Sequence, residues 1–210
     1  LHNGRRRQRQ MCIRDSMFYR FKKYDDGKYI YTKDRGWFFE KNLIENLNCF
    51  EGKRILDYKL PEYQSDIPMM IFSPSVVNDG RRLLISPQKI TFLCNTDTSL
   101  FSGKIALENI EFSTLFNKND PQYLKISSAM RMNATFPYIL PMVFLPSEPK
   151  IEVMDAGLRD NLGLTTSIKY IDNFKNWIHE HTSGVVIIQL RDREKKTKIK
   201  DKQSGLSLIH

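Results

Sequence analysis

The chain has 210 residues, of which 40% are hydrophobic and 27% charged, a balance typical of one globular domain with a real apolar core. Its three cysteines are too few for a disulfide scaffold, and no apolar run approaches the roughly 20 residues that cross a bilayer. The net charge of +9 lies mainly at the two ends, because residues 17–190 hold 21 basic and 20 acidic side chains. A nucleic-acid-binding domain carries its positive charge on the folded body, so this distribution argues against nucleic acid as a partner.

The two ends are expected to lie outside the folded domain. Residues 1–16 have no apolar periodicity and no signal-peptide core, and their MCIRDS stretch resembles translated sequencing-adapter sequence, as does the closing LSLIH. We expect a non-native basic leader over 1–16, a domain over 17–190, and a charged linker with a non-native end over 191–210. A disordered basic arm is the alternative for the leader. Because the native amino terminus is expected to be missing, the sequence leaves the compartment open.

Short elements are predicted through the first two thirds of the domain. Residues 18–36 predict a hairpin or an irregular excursion, and apolar residues at helical spacing predict a helix over 37–47. Apolar runs predict strands over 67–72, 82–86 and 89–94, and the Asn-Asp-Gly sequence at 78–80 predicts a turn. Short helices are predicted over 111–118 and from Pro121 to the prolines at 137 and 141.

The last third of the domain predicts a crossover unit. Residues 151–154 predict a strand, an apolar stripe predicts a helix over about 161–181, and residues 185–190 predict a strand that is buried on both faces. Two strands joined through a helix in this way run parallel. The sequence therefore predicts an α/β fold with a mostly parallel central sheet between helices.

Asp155 is the best single candidate for chemistry. It directly follows a predicted strand, and Gly157 lets the chain turn sharply behind it. In open α/β sheets, catalytic groups gather beyond the carboxyl ends of strands, so a carboxylate there can act as a general base. Such a base needs burial to raise its pKa above the ordinary value of about 3.9. The alternative is an aspartate that only caps the following turn or helix.

Several segments resemble the carboxyl-terminal part of the patatin-like phospholipase family. The family pattern includes an Asp-Gly-Gly or Asp-Gly-Ala motif at a strand end with an Asn shortly after it, represented here by Asp155-Ala156-Gly157 and Asn161. Upstream, the Ser-Ala, Asn-Ala and Phe-Pro pairs at 128–129, 133–134 and 136–137 match the preceding helix. The stretches 71–87 and 90–103 also resemble family segments, so the likeness covers about 65–190.

The resemblance implies a three-layer fold and a Ser–Asp dyad that hydrolyses acyl esters of phospholipids or other lipids. Asp155 would be the base of that dyad, and Asn161 would brace the loop after it. A serine in a Gly-x-Ser-x-Gly elbow would attack the ester, and a glycine-rich loop would donate hydrogen bonds to the oxyanion. No cofactor or metal is implied. Contact with a lipid surface is a further expectation.

Two departures from the family pattern affect this interpretation. Ala156 replaces a glycine where the backbone could require a positive φ, although we expect the turn to survive. No Gly-x-Ser-x-Gly and no glycine-rich oxyanion loop occur in the 210 residues. We therefore expect only the Asp-bearing half of the catalytic domain, without esterase activity of its own. The alternative is a non-catalytic lipid-binding or interaction module of the same fold.

Other candidate residues favour structural roles. His179 and His181 are expected to interact with a helix carboxyl terminus rather than bind metal or complete a triad. Ser127 and Ser128 are expected to pack inside a helix, and Asp97 paired with Asp155 is a minor two-carboxylate alternative. Two sets of basic residues complete the candidates: Arg81-Arg82 as a solvated pair, and Lys195, Lys196, Lys198, Lys200 and Lys202 as a solvated linker or an attraction for anionic lipid.

Overall fold

A computed structural model describes residues 23–25, 30–94, 108–118, 120–136 and 139–190. The strands are β1 Lys23–Asp25, β2 Ile30–Thr32, β3 Ser75–Val76, β4 Arg82–Leu84, β5 Asn109–Glu111, β6 Val143–Phe144 and β7 Glu152–Met154. The helices are α1 Arg35–Asn46, α2 Lys59–Tyr63, α3 Phe112–Leu115, α4 Ile126–Ala134, α5 Gly157–Asp160, α6 Leu164–Asn173 and α7 Lys175–His181. Short 3-10 turns cover Asn48–Phe50, Ile55–Tyr58, Thr91–Cys94 and Pro121–Tyr123.

A five-stranded mixed sheet forms the centre of the fold, in the order β5-β4-β3-β7-β6. Only β4 and β5 pair in parallel, whereas the other three pairings are antiparallel. The α/β class is therefore correct, but the prediction of a mostly parallel sheet is wrong for the described residues. A tight connection explains one of these pairings, because the turn with Gly80 at φ +75 joins β3 directly to β4, and so short a loop permits only antiparallel pairing.

Several predicted elements are confirmed. The first hairpin is present as β1 paired antiparallel with β2, and α1 begins at the Asp34 cap, whose carboxylate accepts a hydrogen bond from the Trp37 amide. Strands β4 and β7 lie where the apolar runs predicted them. The core lies mainly between this sheet and α4, where the members of one buried cluster include Leu83, Ile85, Ile126, Met132 and Val153.

Two predicted strands before residue 95 are wrong. Of 67–72, only Phe72 makes a ladder contact, an isolated bridge to Ile85. The run at 89–94 ends in a 3-10 turn because side chains satisfy its backbone. The Glu111 carboxylate accepts a hydrogen bond from the Ile90 amide at 3.0 Å, and the Asn109 amide group donates to the Leu93 carbonyl at 2.6 Å. With these partners, the segment does not need a neighbouring strand.

The predicted crossover unit is also wrong. The single helix expected over 161–181 is divided into α6 and α7 at Phe174, and α5 precedes them. Residues 185–190 are not a strand, and their aliphatic side chains are 48–86% exposed rather than buried. In the described part of the chain, this segment belongs to neither of the two sheets. No described helix combines the length and apolar character needed to cross a membrane.

Candidate functional site

Asp155 lies immediately after β7, and two other segments of the chain fix the backbone of its turn. Its amide donates to the Thr135 carbonyl at 2.8 Å, and its carbonyl accepts a hydrogen bond from the Ser75 hydroxyl at 3.0 Å. The next amide, that of Ala156, donates to the Asn133 carbonyl at 3.2 Å. The turn is therefore held between β3 and the carboxyl-terminal end of α4, which places three of the segments that resemble the family side by side.

The Asp155 carboxylate closes the turn through one of its two oxygens. Its Oδ1 accepts a hydrogen bond from the Gly157 amide at 2.5 Å, and the residue is only partly buried. This is the geometry of the turn-capping alternative. Among the described residues, no side-chain donor hydrogen-bonds the carboxylate, and no hydrogen bond reaches Oδ2. The capping and base roles are compatible because they use different oxygens.

Two side chains approach Gly157 closely, whereas Ala156 is unstrained. Ala156 has φ −61 and ψ −27, an ordinary helical conformation, so the possible positive φ at this position is absent. A Cβ at Gly157 would lie 2.5 Å from Asp155 Oδ1 and 3.0 Å from Asn161 Oδ1. The Asn161 side chain thus lies against the turn that it was expected to brace.

Asp160 is the second carboxylate of this region and is buried. Its Oδ1 accepts a hydrogen bond from the Thr165 amide at 3.0 Å, and its Oδ2 accepts from the Thr166 amide at 2.9 Å and hydroxyl at 2.8 Å. Arg82 donates to the same oxygen at 3.2 Å. Burial alone would raise the pKa of Asp160, but the threonine hydrogen bonds and the Arg82 charge outweigh burial and lower the pKa. Asp160 therefore links α5 to the first turn of α6 as a fixed anion.

Arg82 corrects one prediction from the sequence. Arg81 has a side chain that is 39% exposed and pairs with Asp79, as a partly solvated residue would, but Arg82 is only 4% exposed. Its Nε donates to the Asn109 side chain at 2.8 Å, and Glu108 lies 3.6 Å from its guanidinium. An arginine within the apolar run RLLIS was the sequence signal for a buried ion pair, because a buried arginine requires partners. The network connects β4, β5 and α5 behind the Asp155 turn.

The remaining candidates do not converge on Asp155. The Ser128 hydroxyl donates to Glu40 at 3.0 Å, and Arg131 holds the same carboxylate, which joins α1 to α4. His181 stacks on Trp177 with ring centroids 5.0 Å apart at the exposed end of α7. Among the residues described, no group of three or more His, Cys, Asp or Glu side chains could hold a metal ion. Asp97, the expected leader and the basic run after 190 lie outside the described residues.

Comparison with known proteins identifies no relative. The chain matches no family model, no curated protein and no solved structure. The likeness to patatin-like phospholipases therefore depends only on the segments named above. The positions of these segments in the fold are the observations from which a function can be argued.

Proposed function

We propose that this chain contributes the base of a Ser–Asp acyl hydrolase that resembles the patatin-like phospholipases. The observation that supports the proposal is the Asp155 turn. Its backbone is held by Ser75, Asn133 and Thr135, and one carboxylate oxygen is held by the Gly157 amide. A base must be positioned before it can be useful, and this turn positions the carboxylate without occupying both of its oxygens. A lipid ester is the substrate class that the resemblance favours.

The proposed chemistry requires a serine from outside these 210 residues, because no Gly-x-Ser-x-Gly occurs in them. Asp155 Oδ2 would accept the proton of that serine as the serine oxygen attacks the ester carbonyl. The leaving alcohol would take the proton, and water activated by the same carboxylate would release the fatty acid. The same polypeptide would complete the three-layer arrangement of the family.

The buried ion pair supports this proposal indirectly. Asp160 lies one short helix after Asp155 and is fixed to α6 by Thr165 and Thr166. Because Arg82 on β4 holds Asp160, the far end of the turn is attached to the central sheet. Asp155 is therefore held between two anchored points, β7 before it and Asp160 after it. Such rigid support limits the motion of the base, and the rate of proton transfer depends on the position of the base.

A non-catalytic module of the same fold is the second candidate. The Asp155–Gly157 hydrogen bond favours it, because this bond has a complete structural explanation as a turn cap. A module of this type would keep the turn and bind lipid or protein without hydrolysis. The two candidates differ in one measurable property, the dependence of ester turnover on the Asp155 carboxylate.

The test is to express the whole continuous reading frame that encodes this chain and measure hydrolysis of a p-nitrophenyl ester. Asp155→Asn keeps an oxygen for the Gly157 amide but removes the base, so we expect kcat/KM to fall by about 100- to 10,000-fold. Asp172→Asn is the matched control, because Asp172 is exposed and pairs only with Lys175 in the described structure. A fluorophosphonate probe should label one serine in the parent and label it more slowly in Asp155→Asn.

Two results would count against the hydrolase proposal. Full turnover by Asp155→Asn would remove Asp155 from catalysis, and an unlabelled, inactive parent would favour the non-catalytic module. The 210-residue chain alone is expected to show no Asp155-dependent turnover. If it does hydrolyse the ester in an Asp155-dependent manner, the nucleophile lies inside these residues, and the proposal that the serine comes from outside them is wrong.

A further inference from the structure

The direction of the Asp155 carboxylate depends on four rotations, and hydrogen bonds restrain all of them. The backbone dihedrals φ and ψ set the direction of the Cα–Cβ bond, and the two side-chain dihedrals place the oxygens. The Gly157 amide binds Oδ1 and restrains the side-chain rotations. The Thr135 carbonyl accepts a hydrogen bond from the Asp155 amide and holds the peptide plane before the residue. The remaining restraint acts on the peptide plane after it, which joins Asp155 to Ala156.

The peptide between Asp155 and Ala156 is held from both sides. Its carbonyl accepts a hydrogen bond from the Ser75 hydroxyl at 3.0 Å, and its amide donates to the Asn133 carbonyl at 3.2 Å. Because the carbonyl and the amide of a planar trans peptide point in opposite directions, two such partners prevent the plane from rotating. We call these two hydrogen bonds the peptide clamp. The Leu158 amide also approaches the Asp155 carbonyl, but at 3.5 Å, so Ser75 provides the shorter bond.

The two sides of the peptide clamp are also connected to each other. The Asn133 side-chain oxygen accepts a hydrogen bond from the Ser73 amide at 2.9 Å, so the end of α4 is attached two residues before Ser75. The residue between the two serines is Pro74, which is fully buried and whose ring restricts φ. Ser75 itself is 3% exposed and lies on β3, the middle strand of the five-stranded sheet. The peptide clamp is therefore closed and stiff.

The Ser75 hydroxyl takes over where the strand ladder stops. The pairing between β3 and β7 reaches Ser75 opposite Met154, the last residue of β7. Asp155 lies one residue beyond that pair, and a side chain on β3 provides the hydrogen bond to its carbonyl. A buried hydroxyl needs a hydrogen-bond partner to offset its lost contacts with water, and the Asp155 carbonyl is that partner.

We propose that Ser75 is a positioning residue for Asp155 and acts through the peptide clamp. Its hydroxyl orients the peptide that follows Asp155 and thereby sets the direction in which the carboxylate points. This role rests on the proposed function, because such orientation affects a rate only if Asp155 takes a proton. Ser75 binds the main chain of Asp155 and not its carboxylate, so the chemistry belongs to Asp155 alone.

The experiment uses the whole reading frame that encodes this chain and separates kcat from KM for a p-nitrophenyl ester. Ser75→Ala removes the donor of the peptide clamp, so we expect kcat to fall by about 10- to 100-fold and KM to stay within about twofold. Ser75→Thr keeps a hydroxyl and should restore kcat. Ser127→Ala is the matched control, because Ser127 is 2% exposed and lies at the opposite end of α4 from Asn133, with its hydroxyl 3.4 Å from Glu40. This control should leave kcat unchanged.

A double-mutant cycle tests whether Ser75 acts through Asp155. The base is absent in Asp155→Asn, so adding Ser75→Ala to that variant should lower the residual kcat by less than about twofold. A residue that only stabilises the fold would lower kcat by the same factor in both backgrounds. This comparison does not depend on whether Ser75→Thr fits into the buried site.

Hydrogen exchange measures the peptide clamp without turnover. In the 210-residue chain, Ser75→Ala should speed exchange of the Ala156 and Gly157 amides by at least about tenfold, and Ser127→Ala should not. Unchanged exchange at both amides, or full kcat in Ser75→Ala beside a low kcat in Asp155→Asn, would overturn the role of Ser75 and leave the hydrolase proposal standing. A parent without Asp155-dependent turnover would overturn both.

Discussion

Two aspartates, one just before α5 and one at its last residue, show how the same side chain serves different purposes. Asp155 ends β7 with a partly exposed carboxylate that receives one backbone hydrogen bond. Asp160, five residues later, is only 6% exposed and receives hydrogen bonds from two amides, a hydroxyl and a guanidinium. Both oxygens of Asp160 accept hydrogen bonds, so its role is structural. In contrast, Oδ2 of Asp155 accepts no hydrogen bond from the described residues.

The difference arises from the elements that surround each residue. Asp160 lies over β4 and β5, where Arg82 and Asn109 are buried with it, and the first turn of α6 directs its amides at the carboxylate. Asp155 lies beyond the strand ends, where the sheet no longer covers it. A carboxylate that accepts a proton from a partner needs a position like that of Asp155, outside the sheet. A carboxylate that serves as a fixed anchor needs a position like that of Asp160.

The largest effect is expected when the buried ion pair is broken. Arg82→Met should lower the free energy of unfolding by about 3–5 kcal/mol, because it leaves the Asp160 charge buried without its cation. Urea denaturation at neutral pH measures this change. Arg81→Met is the matched control, and it should change stability by less than about 1 kcal/mol, because the Arg81–Asp79 pair is exposed. Equal effects of the two substitutions would mean that Asp160 is not an anchor.

The loss of stability in Arg82→Met should depend on pH, and the pKa of Asp160 gives the direction of that dependence. Hydrogen bonds lower its folded pKa, so the stability it provides is present above the unfolded pKa of about 3.9. That stability is lost as the pH falls through the folded pKa. The difference between the parent and Arg82→Met should therefore be constant at neutral pH and shrink in acid. A difference that grows in acid would contradict the assignment of Asp160 as the ionised partner.

Local patterns in the sequence were sufficient to place Asp155. The apolar residues of β7, followed by an aspartate and a glycine, predicted a strand end and a turn, and both are present. The turn at 78–80 and helix α1 were predicted for the same reason, since their signals lie within a few residues of one another. Strong short-range signals of this kind do not depend on where the rest of the chain lies.

Features that depend on distant partners could not be predicted. The run at 89–94 has the composition of a strand, but Glu111 and Asn109 provide partners for its backbone from another part of the chain. Arg82 begins the apolar run RLLIS, which indicates burial, but its partners Asp160 and Asn109 lie on α5 and β5, and local sequence patterns do not bring these elements next to β4. The apolar composition of 185–190 predicted a buried strand. Among the described residues, no element covers this segment, and its aliphatic side chains are exposed.

Glu62 is a third carboxylate to compare with Asp155 and Asp160, because it is buried with a hydrogen-bond donor to only one of its two oxygens in the described structure. It is 8% exposed, the Met70 amide donates to Oε1 at 2.8 Å, and Oε2 is buried with no hydrogen-bond partner in the described structure. Burial raises the pKa of Glu62, and the Met70 amide and the nearby Gln88 side chain offset only part of that effect. A raised folded pKa means that its contribution to stability is full below about pH 4.3 and is lost as the pH rises.

Glu62→Gln should therefore raise the free energy of unfolding at neutral pH by about 1 kcal/mol, because it removes an ionisable group from a poorly solvated position. The gain should disappear below about pH 4, where the parent carboxyl is protonated in both states. Glu45→Gln is the control, since Glu45 is exposed and only pairs with Lys41 on α1 in the described structure. A loss of stability at neutral pH would show that the ionised form of Glu62 is satisfied, as that of Asp160 is.

The smallest effect on stability is expected at Asp155 itself. Asp155→Asn keeps an oxygen in place for the Gly157 amide, so we expect the free energy of unfolding to change by less than about 0.5 kcal/mol. Asp160→Asn at the same pH should cost several times more, because it leaves the buried Arg82 with only the more distant and more exposed Glu108 as a counter-charge. Paired urea curves of the two variants measure the contrast. A large loss at Asp155 would show that the protein holds this carboxylate by more than the Gly157 amide, as it holds Asp160, and an aspartate with both oxygens held could not take a proton from a serine.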